Sequence, residues 1–217
     1  MKVRTVHVHP PRPGVGLLPV QLPSIIDGQV LERVVVRESS ISGAIARSVA
    51  IEACLFDKVE LSSSHLKKSQ LTDCRFDHSL LIGSNFDGSG WRRVEIADSN
   101  GSGLVVSDCS LQDIVFIRCK LTLANFRVSK FTRVIFRDCD LSEADFQGAD
   151  FVDVRLDGCK LDGADFSHAK LKNVDLRGSE LANIHGIAGL KGATIDSGQL
   201  MTISAQLAYE LGINVDA

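Results

Sequence analysis

The chain has 217 residues, 24 basic against 27 acidic and a formal net charge of −3. So even a balance gives no field of one sign over the whole chain, which argues against a dedicated nucleic-acid binder, and direct binding of nucleic acid is not expected. No apolar run approaches the roughly 18 residues that span a bilayer, and residues 1–9 hold no signal-like apolar segment, so a cytoplasmic protein with no membrane association is expected.

Residues 1–30 form a first unit, an arm or cap. The segment 2–9 has the alternation of a strand with Val6 and Val8 on one face, and Pro10, Pro11, Pro13 and Pro19 then break regular structure. Ser24, Ile26 and Gly28 fit the pattern that follows only weakly, and Gln29 interrupts it.

From Leu31 to Leu181 one in every five residues is bulky and apolar: of the 31 positions numbered 31, 36, 41 and onward, 29 are Leu, Ile, Val, Phe or Trp. Only Ala46 and Gly101 are not, and all ten Phe and Trp91 stand on this register. The residue two before each bulky one is Val, Ser, Ala, Cys, Leu or Ile without exception from Val34 to Ser179. Neither a 3.6-residue helix nor an alternating strand returns in phase after five residues. A square coil does, with each pentapeptide forming one side, two residues pointing in and three pointing out. Residue size supports four sides. Val34, Cys54, Cys74, Val94, Ile114, Val134, Val154 and Val174 recur every 20, and so do Ala124, Ala144 and Ala164. A bulge or softened coil is expected at Gly101, within Ser99-Asn100-Gly101-Ser102-Gly103.

Ala124-Asn125-Phe126, Ala144-Asp145-Phe146-Gln147-Gly148, Ala164-Asp165-Phe166 and Val174-Asp175-Leu176-Arg177-Gly178 resemble the pentapeptide-repeat family, over about residues 31–185. The resemblance implies an all-β solenoid, a right-handed quadrilateral β-helix. Its 155 residues would make nearly eight coils, about 37 Å tall at a strand spacing of about 4.8 Å.

Residues 186–217 form a C-terminal cap. Asp196 and Gln199 have capping-box spacing, Leu200, Ile203, Leu207 and Leu211 make a helical stripe, and Gly212 suits a helix stop, so a capping α-helix is expected over about 197–211. In the family such a helix often pairs two molecules end to end. Leu200, Met201, Ile203, Leu207, Ala208 and Leu211 are the candidate cap or homodimer residues, with Tyr209 extending the apolar patch.

Candidate chemistry is sparse. Cys54, Cys74, Cys109, Cys119, Cys139 and Cys159 all fall two before a bulky position and read as small inward spacers. Stacking would leave Cys119, Cys139 and Cys159 about 4.8 Å apart at Cβ, beyond disulfide range and without converging on a metal. His7 and His9 could share one strand face but lack a third ligand. Adjacent Asp77, His78 and Ser79 cannot converge as a triad, and Gly186, Gly189 and Gly192 have the wrong spacing for a dinucleotide loop. No enzyme and no cofactor or metal is expected.

Two binding functions remain. The resemblance implies DNA gyrase or topoisomerase IV as a partner reached by imitating duplex DNA. The side centred on Leu121, Leu141 and Leu161 is the acidic one, with Glu60, Asp140, Glu143, Asp162 and Glu180 against Lys120 and Lys160. Its net of −3 is far below the one charge per roughly 1.7 Å of duplex axis. The alternative is a scaffold for another protein. Outward Val35, Leu55, Val115, Ile117 and Ile135 lie on the side of Phe116 and Phe136, and Val115, Ile117 and Ile135 form a candidate apolar strip.

Overall fold

A computed structural model describes residues 5–14 and 16–215. Residues 5–9 carry no assigned strand, although Val6 and Val8 are half-buried and Thr5, His7 and His9 exposed, as the alternation required; the rest of the expected strand, residues 2–4, lies outside the described residues.

The solenoid is seeded by β1 (Leu18–Val20) and the short strands β2 (Val30–Glu32), β3 (Val34–Arg37), β4 (Ile45–Arg47), β5 (Ala50–Glu52), β6 (Leu55–Asp57) and β7 (His65–Lys67). Above them stack β8 (Gln70–Asp77), β9 (Gly90–Ala97), β10 (Ser110–Ile117), β11 (Lys130–Arg137), β12 (Asp150–Asp157), β13 (Lys170–Asp175) and β14 (Ala193–Thr194). All pairings are parallel, and from β2 to β13 the partner of each residue is the one 20 further on, as Phe116 faces Phe136 and Val134 faces Val154. Ten strands follow one another along the main path of the sheet, giving about nine turns and not the nearly eight expected. The additional layers come from β1 and β14, which pair at each end outside the five-residue register. The N-terminal end is closed by Leu22 and Ile25, so it is Ile25 that turns inward while Ile26 is exposed.

The five-residue period has a backbone cause. Each of the 32 positions numbered 28, 33, 38 and onward to 183 has positive φ, nine of them Gly and 23 not. A left-handed residue after two extended ones turns the chain a corner. We number the sides by their centres: the first holds Leu71, Leu111 and Phe131, the second Phe76, Phe116 and Phe136, the third Leu81, Leu121 and Leu141, and the fourth Phe86, Phe126 and Phe146. β8 to β12 each cover the first two sides, bending at Asp73, Arg93, Asp113, Arg133 and Asp153. At the corners closing the third and fourth sides the left-handed residue belongs to a type II turn, with Ala124 N–H donating to Leu121 O at 3.1 Å and Ala144 N–H to Leu141 O at 3.1 Å.

Inside, phenylalanines 20 apart stack face to face, with centroids 4.7 Å apart for Phe116–Phe136 and 4.6 Å for Phe131–Phe151. Each such side chain removed from water contributes about 1.5–3 kcal/mol. The small inward residues do more than fill space. Ser69 N–H donates to Ser89 Oγ at 2.9 Å, Cys109 N–H to Ser129 Oγ at 2.9 Å, and Cys159 N–H to Ser179 Oγ at 3.0 Å, so hydroxyls 20 residues on satisfy buried corner amides.

Gly101 causes no bulge. Its N–H donates to Lys120 O at 2.8 Å and Gly103 N–H to Thr122 O at 2.8 Å, in step with neighbouring coils. A Cβ on Gly101 would lie 3.1 Å from Leu121 Cδ2 and 3.5 Å from Leu104 Cβ, because Leu104, large where small residues are the rule, fills the space.

The last coil is covered by a 3-10 turn (Ile187–Leu190) and α1 (Ser197–Glu210). Asp196 accepts from Gln199 N–H, and the Gln199 side chain accepts from Asp196 N–H, completing the expected capping box. No helix among the described residues is long and apolar enough to cross a membrane.

Candidate protein-binding surfaces

The orientation of α1 follows from hydrogen bonding. Gln199 Nε2 donates to Leu176 O at 2.6 Å and to Ser179 O at 2.7 Å, satisfying carbonyls that no further coil would reach. This buries Gln199 and Ile203 and leaves Leu207 half-buried. The apolar stripe read from sequence is therefore split. Ile203 and Leu207 pack down, lining with Ile187, Leu190, Ala193 and Ile195 an apolar pocket of about 250 Å³, whereas Leu200 and Leu211 face outward. Met201 (75% exposed), Tyr209 (86%), Leu211 (72%), Ile213 and Val215 are exposed with Leu200 around the helix and its end, while Ala208 is half-buried. Ile213 and Val215 were not anticipated; their position just beyond Gly212, which has φ 68°, places them beside the helix end.

Gly186, Gly189 and Gly192 have a structural task. A Cβ at Gly189 would fall 1.9 Å from Phe166 O, so this backbone lies directly on the last coil.

On the third side the acidic residues occur in alternation. Lys120, Asp140, Lys160 and Glu180 are bridged in sequence by the backbone, each carboxylate flanked by an ammonium. Asp140 Oδ1 accepts from Ser142 N–H at 3.1 Å and from its hydroxyl at 2.7 Å, and Asp162 accepts from Asn183 Nδ2 at 2.8 Å. Glu60 accepts from Ser40 Oγ at 3.1 Å, four coils below Asp140 and away from the other acids. Glu143 stands at a left-handed corner, with φ 57°. Asp140, Glu143, Asp162 and Glu180 thus gather on the coils nearest the C-terminal cap.

Elsewhere charges pair along the solenoid axis. Arg118 binds Asp98 through two bonds of 2.6 Å, and Arg133 binds Asp113 through two of 2.7 Å. The Arg93 guanidinium holds the Asp73 carboxyl below its ordinary range, outweighing the opposing effect of burial. For Asp113 burial pulls upward, but Arg133 and a backbone N–H from His9 prevail, and it too lies low. These ladders, invisible as a −3 total, pair opposite charges from coil to coil along the surface.

Val115 and Ile135 pair side by side, and Ile117 lies beside them, each half-buried and none fully exposed; Val35 is buried and Leu55 half-buried. All six cysteines are buried free thiols. Cys109 Sγ donates to Phe86 O at 3.2 Å, and burial pushes both it and Cys74 up to about 12. His7 and His9 are exposed, and among the described residues no group of three or more His, Cys, Asp or Glu could hold a metal. Asp77 bonds Arg75, Ser79 is buried and donates to Asp77 O at 2.9 Å, and His78 occupies a left-handed corner, so the three share no site.

A family model described as "Pentapeptide repeat region" matches residues 109–186. Among solved structures, the chain is similar to a trypsin-treated form of QnrB1, described as a plasmid-mediated fluoroquinolone resistance protein. Identity is 21% and the TM-score 0.39, over 89% of this chain and 100% of that one. It is also similar to HetL, a pentapeptide repeat protein involved in heterocyst differentiation regulation from the cyanobacterium Nostoc sp. strain PCC 7120. There the identity is 19% and the TM-score 0.39, over 79% of this chain and 91% of that one. Rfr23, a pentapeptide repeat protein from the cyanobacterium Cyanothece 51142, gives 14% identity and a TM-score of 0.19, over 81% and 88%. No curated protein matches the chain at a significant level.

Proposed function

We propose that this pentapeptide-repeat chain is a non-catalytic, cytoplasmic binding rod that pairs with a second copy through its C-terminal end and presents its sides to a protein partner. The observation that carries this reading is the apolar face of Leu200, Met201, Tyr209, Leu211, Ile213 and Val215, open beside a helix already anchored by Gln199. A group of exposed large apolar side chains gathered at one end of the chain supports an association site there. Pairing there would bring together the acidic ends of two third sides, doubling the cluster of Asp140, Glu143, Asp162 and Glu180 at the centre of the rod.

That doubled cluster favours a partner with a basic surface and supports a second reading, in which the rod occupies the DNA-binding face of DNA gyrase or topoisomerase IV. Axial pairing of the other charges argues for an unidentified protein instead. A supercoiling assay with the host gyrase, with and without a fluoroquinolone, separates them. Inhibition or drug protection that is lost on Asp140→Lys/Asp162→Lys substitution supports the topoisomerase reading. No effect at micromolar dimer assigns the rod to another protein.

A further inference from the structure

The corner between the first and second sides carries one residue per coil: Arg33, Ala53, Asp73, Arg93, Asp113, Arg133, Asp153 and Asn173. The N-terminal arm lies along it. Arg12 N–H donates to Asp73 Oδ1 at 3.0 Å, and His9 N–H donates to Asp113 Oδ1 at 3.2 Å. Below them, Gly14 lies against the Arg33 side chain. The arm therefore runs parallel to the solenoid axis, across the strands.

Two periods match here. Asp73 and Asp113 stand two coils apart, about 9.6 Å at a spacing of about 4.8 Å per coil. Residues 9 and 12 are three apart, and three residues of polyproline II rise about 9.3 Å. Pro10, Pro11 and Pro13 favour that conformation and have no N–H, so His9 and Arg12 carry the only backbone donors from 9 to 13. Both donors are used. Arg93 and Arg133 each grip one of the two carboxylates from the coil above, fixing it toward the arm. His9 and Arg12 are themselves exposed, and both hydrogen bonds come from backbone N–H groups, so what the corner reads is chiefly donor spacing and proline conformation. Asp153, which accepts from Asn173 Nδ2 at 2.6 Å, continues the row of carboxylates one step beyond His9.

We propose that this corner is a docking track for an extended, proline-rich segment of a partner protein with the pattern X-Pro-Pro-X-Pro, and that residues 9–13 occupy it as an intramolecular ligand. The partner must displace the arm, so the arm sets a threshold for binding. A tether of this length presents the arm at an effective concentration in the millimolar range. The track is separate from the C-terminal face and does not depend on pairing there.

The test uses the full chain with His9→Pro and Arg12→Pro, which removes the arm's two donors outside the solenoid. The probe is a fluorescent peptide of residues 5–14, compared with the same peptide carrying Pro at both donor positions. Anisotropy should show saturable binding of the first peptide to the variant chain, at least tenfold tighter than to the unaltered chain, and at least tenfold weaker binding of the second. Absence of binding, or equal binding of the two peptides, would overturn the proposal. So would light scattering in which a dimer of the unaltered chain dissociates in the His9→Pro/Arg12→Pro variant, which would assign the track to the arm of a second copy.

Discussion

Leu104 occupies the room that Gly101 leaves: its Cβ and Cδ2 lie 3.5 Å from where a Gly101 Cβ would stand. The two residues exchange the sizes that the repeat prescribes, and the coil keeps its hydrogen bonds. Leu104→Ala should open a cavity and cost about 2–5 kcal/mol, and Gly101→Leu should overpack the same space at about 1–3 kcal/mol. The double variant restores the usual arrangement. It should lose at least about 1 kcal/mol less than the sum of the two, by urea denaturation, whereas additive losses would mean that the residues do not share one space.

Val128 is a β-branched residue held at φ 51° and largely exposed, a costly place for a branched Cβ. Asn tolerates the left-handed region. Val128→Asn should raise stability by about 1 kcal/mol, an increase of about 2–4 °C in Tm for a chain of this size. A lowered Tm would show that packing of Val128 on Gly148, 3.3 Å from a would-be Cβ there, outweighs the strain.

Asp73 and Asp113 titrate below the ordinary carboxylate value of 3.8 in the folded chain. The unfolded chain then binds more protons in the window beneath that value. Their contribution is fully present above it and is lost as pH falls through the folded values. Tm should therefore fall steeply below about pH 4, and Asp73→Asn/Asp113→Asn should flatten that fall while lowering Tm at pH 7. An unchanged acid limb would place the acid sensitivity in other carboxylates.

Gly189 has no space for a methyl group, with Phe166 O at 1.9 Å from a would-be Cβ. Gly189→Ala should lift residues 186–195 from the last coil at a cost of about 1–3 kcal/mol or more. Hydrogen exchange should accelerate in α1 first, because Gln199 would lose its hold on Leu176 O and Ser179 O. Unaltered protection of α1 would show that the cap bends without detaching.

The sequence made the architecture legible because each core position repeats at a fixed interval, and Phe116 stacks on Phe136 for the reason the period implied. The helix start was equally legible, since Asp196 and Gln199 lie three apart. Its buried face was not. Gln199, a polar residue, turns inward to satisfy backbone carbonyls, and periodicity of apolar residues alone cannot reveal that. The Gly101 compensation had a signal: Leu104 is the sole Leu among the small positions from 34 to 179. Charge ladders such as Asp73–Arg93 also follow from a 20-residue spacing, once residues at corners are compared coil by coil. The docking of Arg12 on Asp73 was hidden, because it uses a backbone amide and joins residues 61 apart. Which surface meets a partner depends on exposure, and the folded chain alone reveals that Met201 and Tyr209 are open.

The most direct test of the binding-rod account is sedimentation equilibrium of the unaltered chain beside a Met201→Glu/Leu211→Glu variant. Both residues lie outside the packed cap, so the variant should keep its circular dichroism spectrum. The account predicts twice the 23.5 kDa chain mass for the unaltered protein and a single chain mass for the variant. A monomeric unaltered chain, or a dimer that the two glutamates leave intact, would contradict pairing through the C-terminal face.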